Sequence, residues 1–65
     1  MQYVVKGNGK LLDINNRQVE HFNDANVIPN RDLARFYKRI AKKSGFEKVS
    51  VYRVKVKPVE FQKVR

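Results

Sequence analysis

The sequence predicts a small two-layer α+β domain in which one helix packs on a β-sheet. Three observations predict it: an Asn-Gly pair between two short apolar segments, an amphipathic stretch at residues 31–45, and an alternating apolar segment at residues 49–57. The chain has 65 residues and no cysteine, so we expect a single domain with a small core and no disulfide. The expected order is ββαβ, or βββαβ if a third short strand forms.

The segment QYVVKGNGKLLDI predicts an N-terminal β-hairpin, because Asn8 and Gly9 readily adopt the positive φ angles of a type I′ turn. One face of this hairpin is expected to join the core and carries Tyr3, Val5, Leu12 and Ile14. The other face is expected to meet solvent or a partner and carries Val4, Lys6, Leu11 and Asp13. The segment RQVEHF is the candidate third strand. KGNGK is a poor phosphate loop, since Leu11 replaces the Ser or Thr that a Walker loop requires.

A helix is predicted from residue 31, with Asn30 as its N-cap and Gly45 ending it in a left-handed conformation. At about 100° per residue, the side chains separate into an apolar and a basic side. The apolar side is centred on Leu33, Phe36, Tyr37, Ile40 and Ser44, with Ala34 and Ala41 at its margin. The basic side consists of Arg31, Arg35, Lys38, Arg39, Lys42 and Lys43.

The segment KVSVYRVKVKP predicts a long C-terminal strand. Its alternation directs Tyr52, Val54 and Val56 toward the helix, whereas Val49 and Val51 depart from the pattern. The outer face of the strand would then carry Arg53, Lys55 and Lys57. Residues 58–65 are expected to form an edge strand or a loose tail, since Pro58 interrupts the ladder. In this arrangement the basic side of the helix and the basic face of the strand lie on opposite sides of the molecule.

The net charge of +9 is concentrated in the second half of the chain. Residues 1–30 carry three bases and three acids, whereas residues 31–65 carry twelve bases and three acids. This asymmetry indicates an anionic partner. In the helix, bases recur at i, i+4 spacing, which is mutually repulsive, and a helix adapted only for solubility would alternate its charges. A solvated helix face without a partner is the simpler interpretation of the same residues.

The function that this pattern favours is nucleic-acid binding, to RNA or DNA, mainly through phosphates. The helix residues named above would make the main contacts. Arg53, Lys55 and Lys57 would extend these contacts or form a rival site on the sheet, where Tyr3 or Phe61 could stack on bases if either faces outward. Base-specific reading is not expected, because no helix-turn-helix pair accompanies the helix. The alternative is a small adaptor or inhibitor, of the type that phages and mobile elements encode. It would bind an acidic protein through the basic surface, or through an edge strand formed by residues 49–57.

The sequence favours a non-enzymatic protein without a cofactor or metal. His21 is the single histidine, and Glu20 and Asp24 nearby do not make a recognisable catalytic or ligand pattern. No apolar run is long enough for a signal peptide or a membrane span, so we expect a cytoplasmic protein without a membrane partner. The oligomeric state is left open.

Overall fold

The computed structural model describes residues 2–64, and within them five strands form one antiparallel sheet against a single α-helix. The strand order across the sheet is β3-β2-β1-β4-β5. The elements are β1 Gln2–Gly7, β2 Lys10–Leu12, β3 Gln18–Val19, a 3₁₀ turn Phe22–Asp24, α1 Arg31–Lys43, β4 Val49–Val56 and β5 Val59–Val64. The predicted two-layer α+β class is confirmed. The last strand is a real edge strand rather than a loose tail, and Arg65 lies outside the described residues.

The N-terminal hairpin forms around the predicted turn. Asn8 and Gly9 both have positive φ angles, and Gly7 pairs with Lys10. The Asn8 amide also donates to the Lys48 carbonyl at 2.7 Å, which ties this turn to the start of β4. The expectation that Ile14 is a core residue is wrong, because its side chain is 65% exposed. The chain has already left the sheet at Asp13, which accepts hydrogen bonds from two amides of the next turn.

Helix α1 begins and ends as predicted. The Asn30 side chain accepts a hydrogen bond from the Leu33 amide at 2.8 Å, and Gly45 has a φ of 107°. The face that meets the sheet differs from the prediction: Ala34 and Ala41 are fully buried at its centre, whereas Phe36 is 52% exposed. Small side chains at the centre allow the helix backbone to lie close to the sheet, and this rotates the larger apolar side chains toward one flank.

Both faces of the sheet are buried, not one. On the face that meets the helix, here called the helix face, the cluster contains Val5, Leu12, Ile28, Ala34, Ala41, Val49 and Val51. On the other side, here called the opposite face, the cluster contains Val4, Leu11 and Val54. The prediction that Val4 and Leu11 meet solvent or a partner is therefore wrong.

Residues 19–28 cover the opposite face and then return to the sheet. Phe22, Ala25 and Val27 pack on the cluster of Val4, Leu11 and Val54. Ile28 then exchanges two backbone hydrogen bonds with Tyr3, at 2.8 and 2.7 Å. This crossing segment explains how a chain with one helix can bury both sides of its sheet.

The orientation of β4 is the reverse of the prediction. Val49 and Val51, which departed from the expected pattern, face the helix, whereas Tyr52 and Val54 pack on the opposite face. Val56 is exposed near the end of the strand. Arg53 alternates with Tyr52 and Val54, so it lies on the helix face. Strand β4 has apolar side chains on both of its faces because both faces of the sheet are covered.

Strand β4 is also an inner strand, because it pairs with β1 on one side and with β5 on the other. Residues 49–57 therefore offer no free edge, and the expectation that a partner adds a strand there is wrong. The free edges of the described sheet belong to β3 and β5. No helix within residues 2–64 has the length and the apolar character needed to cross a bilayer.

Candidate nucleic-acid interface

The basic side of α1 is divided by the way the helix sits on the sheet. With the alanines against the sheet, one flank of the helix is apolar and the other, beside β4 and β5, is basic. Arg31, Arg35 and Lys38 line a hollow on this basic flank together with Val51 and Val64. Basic side chains from three successive positions along one flank therefore border the edge strand.

A second hollow of about 260 Å³ lies beside the first turn of the helix. Tyr3, Arg31, Arg53, Gln62 and Val64 are among the residues that line it. The Arg53 guanidinium donates a hydrogen bond to the Gln62 side-chain oxygen across β4 and β5. Since Arg31 and Val64 border both hollows, the two lie next to each other along the β5 side of the helix.

Arg53 lies on the face of β4 that meets the helix, yet it borders the second hollow together with Arg31. Val49 and Val51 lie under the helix, and the next residue on the same face, Arg53, emerges beside the first turn. Arg53 is thus exposed although Val49 and Val51 on the same face are buried.

We call Arg31, Arg35, Lys38 and Arg53 the basic surface. The expectation that the helix and strand bases lie on opposite sides of the molecule is wrong, because the register of β4 brings Arg53 to the helix side. Among the described residues that line the two hollows, none is acidic. The structure therefore provides a local concentration of positive charge built from both the helix and the sheet.

The other bases predicted for the site surround this surface. Arg39, Lys42 and Lys43 are exposed, and stand further round the helix or nearer its C-terminal end. Lys55 is exposed on the same face as Arg53, but Glu60 lies opposite it in the register and offsets its charge. Lys57 is exposed in the turn between β4 and β5, beside the cis bond to Pro58.

The sequence did not indicate two further contacts. Gln62 contacts Arg53 only because β5 pairs with β4, and a loose tail would have left it elsewhere. On the opposite face, Lys6 approaches the rings of Tyr52 and Phe61. The sequence makes Phe61 a candidate for base stacking if it faces outward, and the pairing of β5 with β4 places it on the opposite face. The alternation in VEFQKV was the available signal for that strand.

His21 is exposed, and no group of three His, Asp or Glu side chains within residues 2–64 is placed to hold a metal ion. No family model, no curated protein and no solved structure matches this chain. Inference about function therefore depends on the physical character of its surfaces.

Proposed function

We propose that this protein binds nucleic acid through the phosphate backbone, with the basic surface as the main contact. The observation that supports this most strongly is the convergence of Arg31, Arg35, Lys38 and Arg53 along the β5 side of the helix. The remaining bases of the helix and of the β4–β5 hairpin would extend the contact: Arg39, Lys42, Lys43, Lys55 and Lys57.

Phosphate is the anion that best fits this arrangement. Four like charges in adjacent positions repel one another, so their proximity is unfavourable for folding alone. Arg31 also lies in the first turn of the helix, where the dipole disfavours a cation. A polyanion relieves both penalties, since arginine can donate to two phosphate oxygens and each neutralised phosphate releases condensed counterions.

The test measures, by fluorescence anisotropy, the binding of labelled single-stranded RNA, single-stranded DNA and duplex DNA across a range of salt concentrations. Affinity should fall steeply as salt rises, because phosphate contacts dominate. The Arg35→Glu variant should bind about tenfold more weakly or worse, and its salt slope should be shallower by about one or more.

Arg17→Glu is the matched control. Arg17 is exposed beside β3, at the opposite edge of the sheet, and its replacement changes the net charge by the same amount. The proposal requires that Arg35→Glu weaken binding much more than Arg17→Glu. Equal losses would show that total charge matters and that the basic surface does not.

The second candidate is an adaptor or inhibitor that binds an acidic protein. The free edge of β5, which borders the basic surface, favours it, because an extended acidic segment could pair with this strand beside the arginines. If none of the three nucleic-acid probes binds at low salt, this becomes the preferred function. In either case we propose a cytoplasmic location, in keeping with a chain that has no cysteine.

A further inference from the structure

The opposite face carries a group of two aromatic rings and a lysine that the basic surface does not use. Tyr52 on β4 and Phe61 on β5 project from adjacent strands, and both approach Lys6 on β1. The Lys6 Nζ lies 4.6 Å from the centre of the Tyr52 ring and 5.1 Å from that of Phe61. Phe61 is 36% exposed although it packs edge-on against Phe22. The crossing segment therefore leaves this aromatic pair partly uncovered.

A cleft of about 330 Å³ lies beside these rings. Its apolar part comes from Leu11, Val19 and Phe61, and its charged part comes from Lys6, Lys10 and Glu20. This volume lies near the lower end of clefts that hold small organic molecules, about 300–1,000 Å³. Lys10 makes an exposed ion pair with Glu20, with 3.8 Å between the Lys10 Nζ and the Glu20 Oε1. The Lys6 ammonium instead contacts the aromatic rings. A flat aromatic group carrying a negative charge matches this combination.

We infer that this cleft holds an unpaired base of a single-stranded nucleic acid, stacked on Phe61, with the adjoining phosphate bound by Lys6. The inference rests on the proposed function. Aromatic side chains stack on bases of any sequence, and neighbouring lysines bind the backbone between them. Lys6 would exchange its contact with the ring faces for a contact with phosphate.

The position of β5 explains how one strand of nucleic acid could reach both sites. Phe61 projects to the opposite face, whereas the next residue, Gln62, projects to the helix face and contacts Arg53. Because β5 is an edge strand, a flexible polymer can cross it from the basic surface to the cleft. A duplex cannot do the same with its bases paired. The inference therefore predicts that single strands bind more tightly than a duplex of the same sequence.

The test compares Phe61→Leu with Phe61→Tyr, using a labelled single strand and its duplex. Phe61→Leu keeps an apolar side chain but removes the ring, so affinity for the single strand should fall about 5-fold to 150-fold, the range for loss of one stacked base. Duplex affinity should not change in either variant. Phe61→Tyr keeps the ring and should bind the single strand like the unaltered protein. Circular dichroism and thermal melting establish that both variants are folded.

A second measurement needs no variant. A single strand with abasic sites keeps its phosphates, so it should bind the unaltered protein as weakly as the complete strand binds Phe61→Leu. If the abasic and complete strands bind equally well, or if Phe61→Leu weakens duplex and single strand alike, the stacking site is overturned. The proposed function survives those results as long as Arg35→Glu still weakens binding. If no probe binds the unaltered protein, both proposals fail.

Discussion

One face of the sheet is covered by a regular helix and the other by an irregular crossing segment, and side chains are well buried beneath both. Ala34 and Ala41 bring the helix close to the sheet, so the long basic side chains of α1 emerge beside β5. The crossing segment has only a single 3₁₀ turn and leaves Tyr52 and Phe61 partly exposed. The helix thus leaves a charged surface beside it, and the crossing segment leaves an aromatic surface beside it.

A helix satisfies its own backbone, so it can press small side chains on the sheet and direct its large ones elsewhere. The crossing segment has few backbone hydrogen bonds within itself, and it is joined to β2 by the Asn26 amide, which donates to the Leu12 carbonyl at 3.0 Å. It depends on inserting Phe22 and Val27 into the sheet surface. Three sets of stability measurements compare the packing beneath the helix with the packing beneath the crossing segment.

The largest expected effect concerns two neighbouring leucines that project to different faces. Leu12 joins the helix-face cluster and Leu11 the opposite-face cluster. Leu12→Ala and Leu11→Ala should each lower the free energy of unfolding by about 2–5 kcal/mol, since both leave a cavity. Urea titrations with trimethylamine oxide present, which strengthens apolar burial, keep such destabilised variants measurable.

Ile14→Ala is the control for that pair. Its side chain is largely exposed, so the free energy of unfolding should change by no more than about 0.5 kcal/mol. If Leu11→Ala changes the free energy of unfolding as little as Ile14→Ala does, the opposite face is not a second core.

An intermediate effect tests how tightly the helix face is packed. A Cβ added at Gly7 would lie 2.8 Å from Cγ of Phe46 and 2.9 Å from its Cδ1. Gly7→Ala should therefore cost about 1–3 kcal/mol of unfolding free energy, because the Phe46 ring packs against the helix-face cluster and has little room to move. Thermal or urea unfolding measures it.

Phe46→Leu provides the second arm of a double-mutant cycle. The smaller side chain should relieve part of the steric overlap. The double variant should therefore lose less unfolding free energy than the sum of the two single losses, by about 0.5–3 kcal/mol. Strict additivity would mean that Gly7 and Phe46 do not press on one another, and that the helix face is no more tightly packed than its counterpart.

The smallest effect concerns the local stability of the regular cover. Asn30→Ala removes the acceptor for the Leu33 amide and should cost about 1 kcal/mol, within a range of 0.5–2 kcal/mol. Asn30→Asp keeps the acceptor and should be close to neutral. A loss in Asn30→Asp as large as in Asn30→Ala would show that the cap contributes little, and that α1 depends on tertiary packing as fully as the crossing segment does.

Much of the fold could be predicted because its signals are local. Asn8 and Gly9 specify a turn, and Asn30 and Gly45 specify the ends of a helix, through backbone conformations that neighbouring residues do not alter. The bases of the helix were likewise identifiable, since their spacing along α1 follows from its geometry. Their assembly with Arg53 was not, because that depends on which face of β4 meets the helix.

The sequence specifies the turns, the helix and its caps, the alternating strands, and a net positive charge that lies in residues 31–65. Which face of β4 meets the helix depends on tertiary packing. Val49 and Val51 lie on one face of that strand, and Tyr52 and Val54 lie on the other, so either face is apolar enough to be buried. The choice depends on what covers the second face. Here the cover is a segment without regular structure, and its packing has no periodic signature in the sequence.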